Sequence, residues 1–193
     1  TIDPDNNLAS FFGRINYDYK GIYLFEANLR YDGNSRYRKD HRWGTFPSFS
    51  AGWRLSEEAF MAGTRSWLDN LKVRASWGRL GNDGGDNVGN YEYQSVYGIT
   101  DYSFGGKQVS GLAMTGLANA ILGWETSNNT NFGIDFGAFG NRLTATFDIY
   151  NKRTTGILTT RSIPITLGGL SAPRVNIAKM YAKGSEIDAG WRE

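Results

Sequence analysis

Along residues 13–33, GRINYDYKGIYLFEANLRYDG, every second position is Gly, Ile, Tyr, Tyr and then, past Gly21, Tyr, Phe, Ala, Leu, Tyr. The positions between them are Arg, Asn, Asp, Lys and then Leu, Glu, Asn, Arg, Asp. Alternation with a period of two is the signature of a β-strand with two unlike faces. Followed along the whole chain, it predicts strands at 8–20, 21–32, 45–56, 70–81, 125–138, 142–153 and 181–192, and helical periodicity is nearly absent. In the first six of these, one face is Ala9, Phe11, Gly13, Ile15, Tyr17, Tyr19; Tyr23, Phe25, Ala27, Leu29, Tyr31; Pro47, Phe49, Ala51, Trp53, Leu55; Leu71, Val73, Ala75, Trp77; Phe132, Ile134, Phe136, Ala138; and Leu143, Ala145, Phe147, Ile149. No charge falls on it. The opposite face carries Arg14, Asp18, Lys20, Glu26, Arg30, Asp32, Arg54, Lys72, Arg74, Asp135 and Asp148.

The strands are longer than the ~5–6 residues usual in soluble sheets. They match the ~9–11 residues that a tilted strand needs to cross a bilayer, with overhang. The connections also alternate in length. Tight turns fall at Lys20-Gly21 and at FGNR (139–142), and EEAFMAGTRSWLD (57–69) has room for a short helix. Between them lie the long segments GNSRYRKDHRWG (33–44), a Gly- and Asn-rich stretch at 82–124, and 154–180. Short turns at one end and long loops at the other is the layout of an outer-membrane barrel. A soluble β-sandwich with its apolar face turned inward alternates in the same way, so the pattern leaves both open. The frequent Tyr at the strand ends of the charge-free face (Tyr17, Tyr19, Tyr23, Tyr31) suits the girdles of a barrel, where a ring meets lipid and a hydroxyl meets headgroup water.

Composition narrows the choice only slightly. The chain has 193 residues, 15% aromatic, 21% charged, a net charge of +2 and no Cys. The charge balance gives no reason to expect nucleic acid as a partner, and the missing Cys excludes disulfides and thiolate chemistry. Mean hydropathy is −0.46, a value that a membrane barrel also gives because its two faces cancel. No apolar run is long enough for a transmembrane helix. The sequence starts at Thr1, so a removed or missing N-terminus fits it. Seven strands do not close a single-chain bacterial barrel, and bare sheet edges are not tolerated in lipid. The chain is therefore expected to be a piece of a larger protein.

Candidate chemistry is sparse. His41, in RYRKDHRW, is the single histidine and makes neither a triad nor an ordinary metal site alone; it reads as a loop residue. The basic run around it reads as a solvated loop. GRLGNDGGDN (78–87) is not followed by a helix start, as a phosphate loop requires. A Ca²⁺ loop using Asp83, Asp86 and Asn87 lacks the Glu of an EF-hand, so Asx turns are expected there. The loop aromatics Trp43, Tyr91, Tyr93, Tyr97, Tyr102 and Phe104 either stack on sugar rings or pack the loops against themselves. No carboxylate pair stands out as a glycosidase acid and base. The expectation is a non-enzymatic protein without cofactor or metal.

Several stretches resemble the SusC/RagA-like family of TonB-dependent outer-membrane transporters. They are LASFFGRINYDYKGIYLFEANLRYDGNSRY (8–37), RWGTFPSFSAGWRLSEEAFM (42–61), WLDNLKVRASWGRLGN (67–82), GNYEYQSVY (89–97), LGWETSNNTNFGIDFGAFGNRLTATFDIYNKRTTGIL (122–158) and NIAKMYAKGSEIDAGW (176–191). RWGTFPSFSAGWR and WETSNNTNFGIDFG are the most specific, while 98–121 resembles nothing firmly. Ser185 stands where the family has an aromatic or aliphatic residue after KG. The resemblance implies an all-β fold, with about seven antiparallel transmembrane strands taken from the later half of a barrel of ~22. Residues 1–193 would then be a partial barrel without plug, TonB box or C-terminal strands. It further implies import of oligosaccharides, or in some members peptides, across the cell outer membrane. The partners would be a SusD-like surface lipoprotein, outer-membrane lipid, and the TonB complex through parts not in this chain. The rival is a soluble carbohydrate-binding β-sandwich.

Overall fold

The computed structural model of the chain describes residues 6–85, 88–167 and 169–193. Asp86 and Asn87, two members of the weighed Ca²⁺ loop, lie outside them. The described residues form nine strands: β1 (Leu8–Tyr19), β2 (Tyr23–Asn34), β3 (Trp43–Arg54), β4 (Leu68–Asn82), β5 (Val96–Phe104), β6 (Lys107–Gly116), β7 (Glu125–Ala138), β8 (Leu143–Thr160) and β9 (Arg174–Trp191). Seven of them make one antiparallel sheet in the order β1-β2-β3-β4-β7-β8-β9, and β5 and β6 make a separate hairpin. The expected seven-stranded sheet is present, and no described helix is long and apolar enough to cross a membrane.

Register keeps the two faces separate across the whole sheet. Tyr17 pairs with Phe25 and Phe25 with Ala51, while Ala51 pairs with Ala75, Ala75 with Phe132 and Phe132 with Ile149. A slip of one residue in any pair would move a charged set onto this row. Ser185 lies opposite Ile149, between the pairs Phe147–Ile187 and Asn151–Lys183. The charge-free row therefore continues through Ser185, Ile187, Ala189 and Trp191, with a small polar residue in the aromatic position. Among the described residues nothing covers this face: Phe11, Phe25 and Phe132 are exposed on it. A sandwich would need a second sheet there, and among the described residues the only other sheet is the two-stranded hairpin.

The row is bounded by aromatics at both ends. At the tight-turn end, Tyr23 stacks on Trp53 with ring centroids 6.2 Å apart and lies 6.4 Å from Tyr19. At the loop end, Trp43 stacks on Tyr31 at 4.7 Å and on Phe11 at 6.2 Å. The stretch from Tyr23 to Tyr31 covers roughly 26 Å along the strand at ~3.3 Å per residue, matching the ~9–11 residues that a tilted strand needs to cross a bilayer. On β8 and β9 the band ends at the Asn151–Lys183 pair, and one step beyond it Arg153 lies over the ring of Tyr181, 5.5 Å from its centroid.

The tight turns need residues that accept a left-handed backbone. Lys20 and Gly21 have φ of 57° and 66°, and the Gly21 N–H donates to the Asp18 carboxylate at 2.6 Å. Phe139, Gly140 and Asn141 have φ of 58°, 68° and 58°. Their turn is held by the Asn141 N–H donating to Asp69 (2.8 Å) and the Phe139 N–H donating to the Trp67 carbonyl (2.8 Å). The β3–β4 connection forms two 3-10 turns, Leu55–Glu57 and Ala59–Thr64.

Three boundaries differ from the sequence reading. The stretch 82–124 contains the β5–β6 hairpin, turned by Gly105-Gly106 at φ of 60° and 74°, a two-residue turn of the kind that left-handed glycines favour. Strand β8 runs on to Thr160 rather than ending near 153, and β9 begins at Arg174 rather than 181. Gly156, at φ 68°, is a bulge where the register shifts and not a stop.

Candidate functional site: the polar face and its loop-side rim

The polar face is a wall of paired charges. The Arg14 guanidinium donates to the Asn28 side chain at 2.7 Å, and the Asn28 amide donates to Glu26 at 2.7 Å. Arg30 donates to Asp32 at 2.7 Å. Deeper in the sheet, Arg74 on β4 reaches Asp135 on β7 (3.2 Å) and Asp148 on β8 (2.6 Å). It crosses β7 over Gly133, where a Cβ would lie 2.5 Å from the Arg74 Cζ. Only glycine leaves that path open. These pairs are partly solvated, and each contributes little to stability. They join Arg14, Arg30 and Arg74 to carboxylates across the face.

Above the polar face the loops form a small core. Tyr37, Val88 and Leu122 are fully buried, with Trp124 and Leu158 against them. Phe46 and Tyr37 both contact the Trp124 ring, at 5.4 and 5.8 Å between centroids. Polar bonds tie the loops together. Asn34, fully buried, donates to Asp83 at 2.7 Å and accepts from the Arg36 N–H at 2.9 Å. The Tyr37 hydroxyl donates to the Asp83 carbonyl at 2.8 Å, and Arg36 donates to the Gly85 carbonyl. The Trp124 indole donates to the Arg42 carbonyl at 3.0 Å. Asn176 bridges Gly123 and Gly156 through 2.8 Å bonds, and Glu125 accepts from Asn82 and from the Leu158 N–H, both at 2.7 Å. Burial, followed by the nearby Asp83 carboxylate, pushes the Tyr37 phenol well above its ordinary value.

The six aromatics singled out in the sequence fall into separate places. Trp43 stands on the charge-free face in its stack with Tyr31. Tyr91, with φ 64°, lies 6.3 Å from Tyr93. Tyr97 points to one face of the hairpin with Ile99, while Tyr102 and Phe104 alternate onto the other. All three are exposed. The hairpin base is fixed by the Leu117 and Ser171 N–H groups, which donate to the Ser171 and Thr115 carbonyls at 3.2 and 2.9 Å. His41 lies in a turn, its N–H donating to the Arg38 carbonyl at 2.9 Å. Among the described residues no group of His, Cys, Asp or Glu is placed to hold a metal ion. Of the residues that organise the rim, sequence reasoning weighs Asp83 alone, as a Ca²⁺ ligand, and does not single out Asn34, Trp124, Glu125 or Asn176. WETSNN (124–129), quoted there for its specificity, contains two of them.

Comparison with known proteins gives a consistent picture. The family model described as "TonB dependent receptor-like, beta-barrel" matches residues 1–192. A TonB-dependent receptor of Formosa agariphila is 38% identical over 180 residues, covering 93% of this chain and 17% of the relative. The TonB-dependent receptor SusC of Bacteroides thetaiotaomicron is 36% identical over 187 residues, covering 94% of this chain and 18% of the relative. Among solved structures, the RagAB peptide importer in its open-open state superposes with a TM-score of 0.80 at 27% identity, covering 94% of this chain and 19% of that one. The chain thus spans less than a fifth of the length of these relatives.

Proposed function

The chain belongs to the TonB-dependent receptor-like β-barrel family of the outer membrane, and on that premise we propose that it is a wall segment of a SusC-like importer of oligosaccharides or peptides. The observation that carries this reading is the continuous charge-free row across seven strands, bounded by aromatics, with the charged face entirely opposite. The row meets lipid and the charged face lines the lumen. Arg14, Arg30 and Arg74 there are joined to carboxylates, which holds the wall's shape. Short turns lie on the periplasmic side. The packed loops form the outer rim, and the hairpin with Tyr97, Tyr102 and Phe104, together with Tyr91 and Tyr93, faces substrate and a SusD-like lipoprotein. Trp43 serves the girdle. The segment acts by positioning and gating, without covalent chemistry, and energy enters through the TonB complex at other parts of the importer. SusC among the relatives supports a glycan cargo and RagAB, named a peptide importer, supports a peptide one.

The test places one charge on each face of the intact protein that carries this chain. Phe132→Arg puts a cation in the middle of the charge-free row, at a cost of about 2–4 kcal/mol in lipid. Ser76→Arg puts one on the polar face, in register with Asn131. Loss of folded outer-membrane protein for Phe132→Arg, with Ser76→Arg assembling normally, is the expected result. Equal tolerance at both positions would overturn the wall reading. Growth on defined oligosaccharides against growth on peptides then assigns the cargo.

A further inference from the structure

The β3–β4 connection is longer than a tight turn requires. The other two turns at its end of the sheet take three and four residues, 20–22 and 139–142, whereas this one takes residues 55–67. It is not slack chain. The Glu58 N–H donates to the Leu55 carbonyl at 3.1 Å, Met61 to Glu58 at 3.0 Å and Trp67 to Thr64 at 3.1 Å, while the Thr64 hydroxyl donates to the Met61 carbonyl at 2.8 Å. Its direction is fixed by Glu58. One carboxylate oxygen accepts from the Tyr23 hydroxyl at 2.6 Å and from the Trp53 indole at 2.8 Å. Both rings belong to the charge-free row. The connection therefore bends outward, to the side that faces lipid, and not under the lumen.

The connection carries exposed aromatic side chains. Phe60 is 68% exposed and Trp67 43%. Next to Trp67, Phe139 is also exposed, in a left-handed backbone that the Trp67 carbonyl helps to hold. A carboxylate does not enter hydrocarbon uncompensated, so Glu58 marks the depth at which water or headgroups begin. Tyr and Trp with apolar bodies and hydrogen-bonded polar tips occupy that same depth. Phe60 and Trp67 are consequently held beside the girdle at the boundary of headgroup and acyl chain, where the exposed Glu57 and Arg65 meet headgroup water.

We propose that residues 55–67 form an interfacial foot, seated on the phospholipid of the periplasmic leaflet, with Phe60 and Trp67 entering the acyl boundary and Glu58 fastening the foot to Tyr23 and Trp53. The proposal rests on the wall reading, which makes the charge-free row the lipid face and these turns periplasmic.

The chain contributes no cysteine, so single spin labels can be introduced by Phe60→Cys, Phe25→Cys and Gln108→Cys in the intact barrel with any other cysteine replaced. The barrel is reconstituted in vesicles of phosphatidylethanolamine and phosphatidylglycerol. Collision with oxygen, which concentrates in lipid, is compared with collision with a water-soluble nickel chelate. The foot predicts an oxygen-to-nickel ratio at position 60 between the lipid value at 25 and the aqueous value at 108. It also predicts that Glu58→Ala moves position 60 toward the aqueous value while 25 stays unchanged. An aqueous ratio at 60 beside a lipid ratio at 25 overturns the foot and leaves the wall intact. Shielding of 60 from both reagents overturns it in favour of a protein contact. An aqueous ratio at 25 would instead refute the wall reading itself.

Discussion

The sheet and the rim above it are built from the same strands under opposite rules. In the sheet, β1 has no buried residue, and Phe11, Phe25, Phe49, Trp77, Phe132 and Ile149 of the charge-free row are exposed. At the rim, a few loops bury Tyr37, Val88 and Leu122 as completely as a soluble core would. The sheet gains its order from ladder bonds and register and leaves its apolar side to the surrounding lipid. The rim faces water, where apolar groups must be covered by the chain itself. One polypeptide thus solves two solvent problems, and the border between them runs through Trp43, Tyr31 and Arg153.

Substitutions separate the two regimes. Leu122→Ala leaves a cavity that only protein can fill and should cost about 2–5 kcal/mol, seen as faster hydrogen exchange in residues 34–42 and 82–85 while the sheet stays protected. Phe132→Ala removes a larger side chain from the lipid side, where acyl chains close the gap, and should lose the transfer term alone, about 1.5–3 kcal/mol, with no cavity term added. Equal losses at both sites would erase the distinction. A smaller effect is expected from Gly133→Ala on the polar face. The new Cβ displaces Arg74 from Asp148, costing up to about 1 kcal/mol, as for a partly solvated ion pair. In a double-mutant cycle with Arg74→Ala the second change should add almost nothing, read by thermal melting.

Titration probes the same contrast more gently. Tyr37 is held neutral by burial, so its folded value lies above its unfolded one. The rim therefore keeps this contribution below about pH 10, where an unfolded tyrosine ionises, and loses it as pH rises toward the folded value. Phenolate absorbance should show one tyrosine ionising late, a lag that Tyr37→Phe removes. Glu58 moves the other way. Hydrogen bonds from Tyr23 and then Trp53 hold its carboxyl below the usual range, so its tie is present at neutral pH and is lost as pH falls through the folded value. Its exposure makes this the smallest effect, visible as an acid-dependent change in Trp53 emission that Glu58→Gln abolishes.

Period-two alternation made the wall legible, because lipid on one side and water on the other constrain every residue. Tight turns were legible through Lys20-Gly21 and FGNR. The β5–β6 hairpin was passed over although Gly105-Gly106 signals it. Its faces mix Tyr97 and Ile99 with Asp101, and Tyr102 and Phe104 with Thr100, so no charge separation marks them. The end of β8 was misplaced because Gly156 looks like a breaker until a bulge accommodates it. The rim core had no signal at all. Tyr37, Val88, Leu122 and Leu158 come from separate segments with no shared period, and only tertiary structure brings them together. For the same reason the six loop aromatics, chosen by residue type alone, proved scattered.

The strand order has a consequence for how the wall forms. Every strand of the large sheet neighbours the one before it in the chain, apart from the excursion between β4 and β7. Each completed strand therefore presents an edge to the next to emerge, and growth can proceed as a zipper with short loops to close. The rate should be limited at β4–β7, where 83–124 must be spanned. Loop-closure entropy rises only slowly with length, and early closure of the β5–β6 hairpin at Gly105-Gly106 shortens the effective span. A substitution there, such as Gly105→Val, should delay sheet completion more than it weakens the finished wall.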